Sequence, residues 1–260
     1  MFRKRTSGIV TMEKQFSYEL GAALGSETAF GLIVLQADET LEHDMRRLLP
    51  NQSAALYTSR VPSGTEVTTE TLGEMAGELT GAASLFPAPV RFDVVGYGCT
   101  SATSVIGANR VARLISEGCE STHVTEPVSA LLAACKALGV GKIAFLSPYI
   151  EEVSATLRNV LIENGLEIVA FGTFNEASES KVARIAPASI RDAALDLING
   201  TEAEAVFLSC TNLQTLDIIV EIEEATGRPA LSSNLVLGWY MLKLSNRHFD
   251  GSNFGRLMQV

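Results

Sequence analysis

The sequence predicts an α/β protein of two pseudo-symmetric Rossmann-like lobes, each a parallel sheet with helices on both faces, with a cleft between them. Three observations carry this. Short apolar runs alternate with helical segments along most of the 260 residues, the pattern of parallel sheets covered on both faces. The alternation restarts near the middle of the chain. One motif also occurs twice: Asp93–Ser101 reads DVVGYGCTS and Glu204–Asn212 reads EAVFLSCTN, with the cysteines 111 residues apart.

In the first half the strands are Ala29–Leu35, Ala54–Val61 and Phe92–Tyr97. Helical segments follow them at Thr40–Leu49, Val67–Leu85 and Ala102–Glu117. Pro127–Leu138 is a further helix, with proline in its first turn and Gly139 just past its end, as helix termini favour. In the second half Lys142–Leu146, Glu167–Phe174, Ala205–Leu208 and Ala230–Ser232 are strands. The helices there are Glu151–Asn164, Pro187–Ile198, Gln214–Thr226 and Asn234–Leu244. These elements divide the chain into an N-terminal extension (1–27), lobe 1 (28–125 with 230–260) and lobe 2 (126–229). Met12 offers an alternative start within the extension. The apolar NLVLGWYMLKL stretch is either core or a contact for a homo-oligomer.

Composition excludes several classes. A net charge of −10 and a pI near 4.9 argue against nucleic acid or an anionic membrane as partner. No apolar run approaches the length of a membrane span, and the early basic residues precede no apolar signal region. Four cysteines without a CxxC pair, and three scattered histidines, give no metal-ligand spacing. The expectation is a cytoplasmic protein with reduced thiols and no metal.

Each copy of the repeated motif is an acid, an apolar strand, then Cys-Thr-Ser or Cys-Thr-Asn opening a helix. Ligands of open parallel sheets bind beyond the carboxyl ends of the strands. Two facing lobes therefore point Cys99 and Cys210 into one cleft. Helix N-terminal N–H groups favour a thiolate and lower its pKa, and with Thr100, Ser101, Thr211 and Asn212 they hold a carboxylate. Two such elements can add a proton to one face of a carbon and remove it from the other, without a cofactor. Alternatively, one thiolate attacks an alkene carbon while the other thiol delivers a proton. Cys119 and Cys135 read as packing residues.

GYGCTSATSVIG, VTEPVSALLAACKALGVGKIAFLSPY and VFLSCTNLQTLDII together resemble the aspartate/glutamate racemase superfamily. The branch they resemble is that of maleate cis–trans isomerase, arylmalonate decarboxylase and the ectoine-utilisation protein A group. The resemblance runs from about Phe30 to Leu244. It implies two lobes, a cleft, no cofactor and a small carboxylic acid as partner. It also implies that Tyr149 lines the pocket, and that Cys99 sets the chain apart from arylmalonate decarboxylase, which has glycine there.

Two positions depart from the family pattern. Asp38, in LQADET, and Glu179, in SESKVARI, fall where the isomerases carry pocket asparagines. A carboxylate facing a substrate carboxylate repels it, so both residues suit a substrate that also bears a cationic nitrogen. Amino acids and ectoine derivatives are of that kind. Their ordinary readings are an N-cap of the helix near Thr40 for Asp38 and a solvated loop residue for Glu179. The leading expectation is a cofactor-independent racemase or isomerase on a nitrogen-bearing acid. The alternatives are maleate isomerase, an arylmalonate-type decarboxylase using Cys210, and a non-catalytic ligand-binding protein.

Overall fold

A computed structural model of the chain describes residues 14–49, 54–64, 66–247 and 251–260. Met12 lies outside them, and residues 14–24 run exposed without helix or strand. Lobe 1 is built from β1 (Ala29–Leu35), α1 (Leu41–Leu48), β2 (Ala55–Val61), α2 (Thr69–Glu74), α3 (Leu79–Ser84), β3 (Phe92–Gly98), α4 (Thr100–Ile106), α5 (Ala108–Gly118), β4 (Ser121–Thr125) and α6 (Pro127–Leu138). Lobe 2 follows with β5 (Lys142–Tyr149), α7 (Glu151–Glu163), β6 (Glu167–Glu176), α8 (Glu179–Val182), α9 (Pro187–Ile198), β7 (Ala205–Leu208), α10 (Ile219–Thr226), β8 (Ala230–Ser232) and α11 (Ser233–Leu244).

Two four-stranded sheets result, ordered β2-β1-β3-β4 and β6-β5-β7-β8, and every strand pair in them is parallel. The two orders are the same pattern, so the repeat read from the Cys-Thr motifs extends to topology. β3 and β7 are interior strands of their sheets. Phe30, Val94, Phe145 and Phe207 are wholly buried, each such side chain contributing about 1.5–3 kcal/mol by removal from water. The central strands end at the thiols: Cys99 follows β3 directly, and Cys210 lies two residues beyond β7.

The predicted boundaries need several corrections. α6, placed in lobe 2 from sequence, packs against α4 and α11. The helix expected over Gln214–Thr226 is a 3₁₀ turn at Leu216–Ile218 and then α10. The single helix expected over Val67–Leu85 is α2, a 3₁₀ turn at Met75–Gly77, and α3. The helix expected over Ala102–Glu117 breaks at Gly107, whose φ of +91° closes α4 and caps α5. β4 was not anticipated, because STHVT is an edge strand with exposed Thr122 and His123 and so lacks an apolar run. Ala230–Ser232, assigned to lobe 1 from sequence, is the edge strand of the lobe 2 sheet. The α11 helix after it returns to pack on lobe 1. Leu235–Leu237 and Met241 are completely buried, which makes NLVLGWYMLKL core. Among the described residues no helix is long and apolar enough to cross a membrane.

Gly98 shows how closely lobe 1 is packed beneath its thiol. A Cβ on Gly98 would lie 2.0 Å from Leu41 Cδ2 and 3.3 Å from the Ile33 carbonyl oxygen. The absent side chain lets α1 sit over the end of β3.

Candidate active site

All nine residues singled out from the sequence line one buried cavity, with Leu35 as a further wall. Cys99 caps α4, and its Sγ accepts the Ala102 N–H at 3.3 Å. Cys210 is followed by a turn, not by a helix, which corrects the expectation of two equivalent helix N-termini. Its Sγ accepts the Asn212 N–H at 3.2 Å and contacts the Tyr149 hydroxyl at 3.0 Å. The space left between these groups is about 10 Å³, room for about one water-sized sphere. A substrate needs more room than this, so groups around the site must move to admit one.

Hydrogen bonds across the lobes hold these groups in place. Thr100 Oγ1 donates to Ser233 Oγ at 2.8 Å, and Ser233 Oγ accepts the Cys210 N–H at 3.0 Å. Thr211 Oγ1 donates to the Gly98 carbonyl at 3.2 Å. Asn212 uses its whole amide: Oδ1 accepts the Glu39 N–H at 2.8 Å, and Nδ2 donates to Glu179 Oε2 at 2.9 Å and to the Ala37 carbonyl at 3.3 Å. Among the described hydrogen bonds, Ser101 alone of the four expected carboxylate holders keeps its hydroxyl uncommitted. Ser233 was not anticipated. It sits in the SSN start of α11, where a helix-capping reading of serine is the ordinary one.

The two carboxylates behave differently. Asp38 Oδ1 accepts the N–H groups of Thr40 and Leu41 at 2.8 and 2.7 Å, so it caps the start of α1 as the ordinary reading has it. Its Oδ2 is buried in the cavity wall without a hydrogen-bond partner. Glu179 is only 5% exposed, which overturns the solvated-loop reading. Its Oε1 accepts from the Tyr149 hydroxyl at 2.8 Å. Among the described residues no Lys, Arg or His lines the cavity. Basic groups nearby are engaged elsewhere: Arg60 with the Leu35 and Asp38 carbonyls and Glu42, Arg184 with Glu39, and Lys181 with Glu176.

Burial sets the protonation states. It raises Asp38 from 3.8 to about 7, against the Leu41 and Thr40 N–H groups and the nearby Thr211 hydroxyl that lower it, with the Glu179 charge adding to the rise. It pushes the Cys99 thiol up to about 12 and the Cys210 thiol well above its ordinary 9.0. For Cys210 the Glu179 charge adds to burial, whereas the bonds from Tyr149 and Asn212 oppose it. The expectation that helix N–H groups lower both thiols is thus corrected: in the closed site desolvation outweighs them. Tyr149 is raised well above 10 by burial and by the Cys210 and Glu179 charges. The remaining cysteines sit apart, Cys135 buried in α6 and Cys119 half-buried after α5.

The sequence pattern of the arylmalonate decarboxylase family matches residues 81–258. The maleate isomerase of Geobacillus stearothermophilus is 24% identical over 243 residues, covering 88% of this chain and 96% of the relative. The arylmalonate decarboxylase of Bordetella bronchiseptica is 28% identical over 229 residues, covering 85% and 91%. Among solved structures, one neighbour is a cysteine-to-serine variant of Nocardia farcinica maleate cis–trans isomerase with a covalently bound succinylcysteine intermediate. It superposes with a TM-score of 0.80 at 21% identity, over 89% of this chain and 98% of the neighbour. Unliganded arylmalonate decarboxylase superposes with a TM-score of 0.73 at 25% identity, over 89% and 98%. The chain belongs to the arylmalonate decarboxylase family, within the maleate isomerase and arylmalonate decarboxylase branch of the aspartate/glutamate racemase superfamily.

Proposed function

We propose that the chain is a cofactor-independent enzyme that uses Cys99 and Cys210 on opposite sides of a small carboxylic acid. The observation that carries this is the placing of two free thiols, one from each lobe, in the wall of one buried cavity. Isomerase chemistry is the reading the relatives support best. One thiolate adds to an alkene carbon, forming a C–S bond, and the other thiol protonates the carbanion beside it. Rotation about the resulting single bond and reversal of both steps give the other geometric isomer. The succinylcysteine intermediate of the Nocardia protein is an adduct of that kind. A decarboxylase would need only Cys210 to protonate a carbanion, and the presence of Cys99 disfavours it. A binding protein without turnover has no use for the pair of thiols.

A second reading of the substrate rests on Asp38. The amino-acid or ectoine-type substrate expected from sequence draws no support from the relatives, which are maleate isomerases and an arylmalonate decarboxylase. The unpartnered Asp38 Oδ2 nevertheless offers an acceptor to a substrate nitrogen, and a buried acceptor left unpaired is costly. Ser101 and backbone N–H groups beside the thiols would take the carboxylate.

Turnover assays separate these readings. Maleate-to-fumarate conversion is followed by ultraviolet absorbance, racemisation of amino acids and N-acetyl diamino acids by chiral chromatography, and arylmalonate decarboxylation by CO₂ release. Conversion of maleate supports plain isomerase chemistry. Racemisation of a nitrogen-bearing acid supports the Asp38 reading. Tight binding of an acid with no turnover of any compound would defeat the enzyme reading.

A further inference from the structure

Tyr149 stands between two groups that both need its single hydroxyl hydrogen. Its oxygen lies 2.8 Å from Glu179 Oε1 and 3.0 Å from Cys210 Sγ. A phenol has one hydrogen to donate, so with a neutral Tyr149 and one negative charge on the Glu179–Cys210 pair, two arrangements satisfy both contacts. In the first, Tyr149 donates to an ionised Glu179, and the Cys210 S–H donates to the Tyr149 oxygen. In the second, Tyr149 donates to a Cys210 thiolate, and a protonated Glu179 donates to the Tyr149 oxygen.

We propose that Tyr149 and Glu179 form a proton relay through which Cys210 loses and regains its proton. The step balances. The Cys210 S–H bond breaks as its proton passes to the Tyr149 oxygen, and the Tyr149 O–H bond breaks as that proton passes to Glu179 Oε1. Tyr149 is neutral at both ends of the step, and one negative charge has moved from Glu179 to Cys210. No oxidant, reductant or outside base takes part. The inference rests on the reading of Cys210 as the thiol that exchanges a proton with substrate. Glu179 is then a positioning residue that acts through Tyr149.

The surroundings favour exchange within the pair over loss of a proton to solvent. Burial and the neighbouring charges hold Tyr149 neutral, so it conducts the proton without storing the charge. The two ends of the relay are each held by Asn212, whose Nδ2 donates to Glu179 Oε2 at 2.9 Å and whose backbone N–H donates to Cys210 Sγ at 3.2 Å. The other titratable groups of the cavity are Asp38, from the β1–α1 turn, and Cys99, from the β3–α4 turn. Among the described residues no basic side chain lines it to fix the charge at either end. Cys99 has only half a counterpart: the Tyr97 phenol lies beside its thiol, but without a carboxylate partner among the described residues. The Tyr97 hydroxyl donates to Met75 Sδ at 3.8 Å. The relay therefore makes the two thiols unequal, which the matching Cys-Thr motifs conceal.

The test is a carbon-13 NMR titration of the full chain carrying [13Cβ]cysteine and [13Cδ]glutamate, with signals assigned by Cys210→Ala and Glu179→Gln. The relay predicts that, as the pair loses its first proton, the Cys210 and Glu179 carbons shift over the same pH interval. The Cys210 signal should move measurably in that step. In Tyr149→Phe the shared step should separate into one carboxylate step and one thiol step, and turnover should fall about 10²-fold. A wild-type titration in which Glu179 shifts while Cys210 stays still would overturn the relay, and so would an unchanged shared step in Tyr149→Phe. The wild-type titration decides even where a variant fails to fold. It needs no turnover, so a coupled titration in a protein inactive on every acid would uphold the relay and sink the enzyme reading.

Discussion

The side-chain oxygen of Asn212, in the thiol turn of lobe 2, accepts the backbone N–H of Glu39 in lobe 1 at 2.8 Å. The same amide reaches the Ala37 carbonyl and Glu179. One residue thus latches the lobes and holds a carboxylate in the cavity wall.

Asn212→Ala should lower the unfolding free energy by about 1–3 kcal/mol, because it strands buried polar partners on both lobes. Urea denaturation checks this. Loss of the latch should also raise the reactivity of Cys99 and Cys210 toward an alkylating agent, since the closed cavity of about 10 Å³ admits none. An unchanged midpoint with unchanged thiol reactivity would mean that other contacts hold the lobes together.

Asp38 makes stability depend on pH. Burial raises its pKa from 3.8 to about 7. Between those values the unfolded chain has released this proton while the folded chain keeps it. The folded state therefore binds more protons, and stability falls as pH rises from about 4 to about 7. The full effect is about 4 kcal/mol at 1.36 kcal/mol per pKa unit. Asp38→Asn should remove the Asp38 share of this slope, making it shallower and leaving the share of Asp44, which burial raises to about 6. Thermal melts of both proteins across that range would show a parallel fall if Asp38 were not its source.

Cys135→Ala separates packing thiols from the cavity pair. Cys135 is 1% exposed within α6 and outside the site. The substitution should lower stability by about 1 kcal/mol and leave turnover within about twofold of wild type. A large loss of turnover at normal stability would contradict the assignment of the chemistry to Cys99 and Cys210.

Gly98→Ala tests the close approach under the first thiol. The new methyl group would meet Leu41 Cδ2, so α1 or β3 must shift. The expected cost is about 1–3 kcal/mol, with lower turnover because Cys99 is the next residue. The enlarging substitution should be relieved in part by Leu41→Ala, measured as a double-mutant cycle.

Much of this was legible in residue types. The twin Cys-Thr motifs gave the repeat, since an apolar strand running straight into a reactive residue is a local pattern. Asp38 was legible twice over, as a helix cap and as a cavity carboxylate, and the structure gives one oxygen to each. What the sequence concealed is of another kind. Gly107 reads as a tolerated helix glycine until its positive φ is seen. β4 lacks an apolar run because it is an edge strand. The turn after Cys210 opens with the same Cys-Thr pair as the helix start after Cys99. Thiol acidity depends on how deeply the site is buried, which no spacing encodes: the N–H groups are where the motif implies, but burial outweighs them. Ser233 and the Tyr149–Glu179 contact join residues distant in the chain, beyond any local pattern.

The central claim is that two thiols, one from each lobe, act on one substrate. The most direct measurement follows deuterium entry from D₂O at the carbon beside the carboxylate, by proton NMR, on whichever acid the chain converts. Wild type, Cys99→Ala and Cys210→Ala are compared. The account predicts that each variant, folded as wild type, loses net conversion by about 10²-fold or more. Full conversion by either single variant would contradict it.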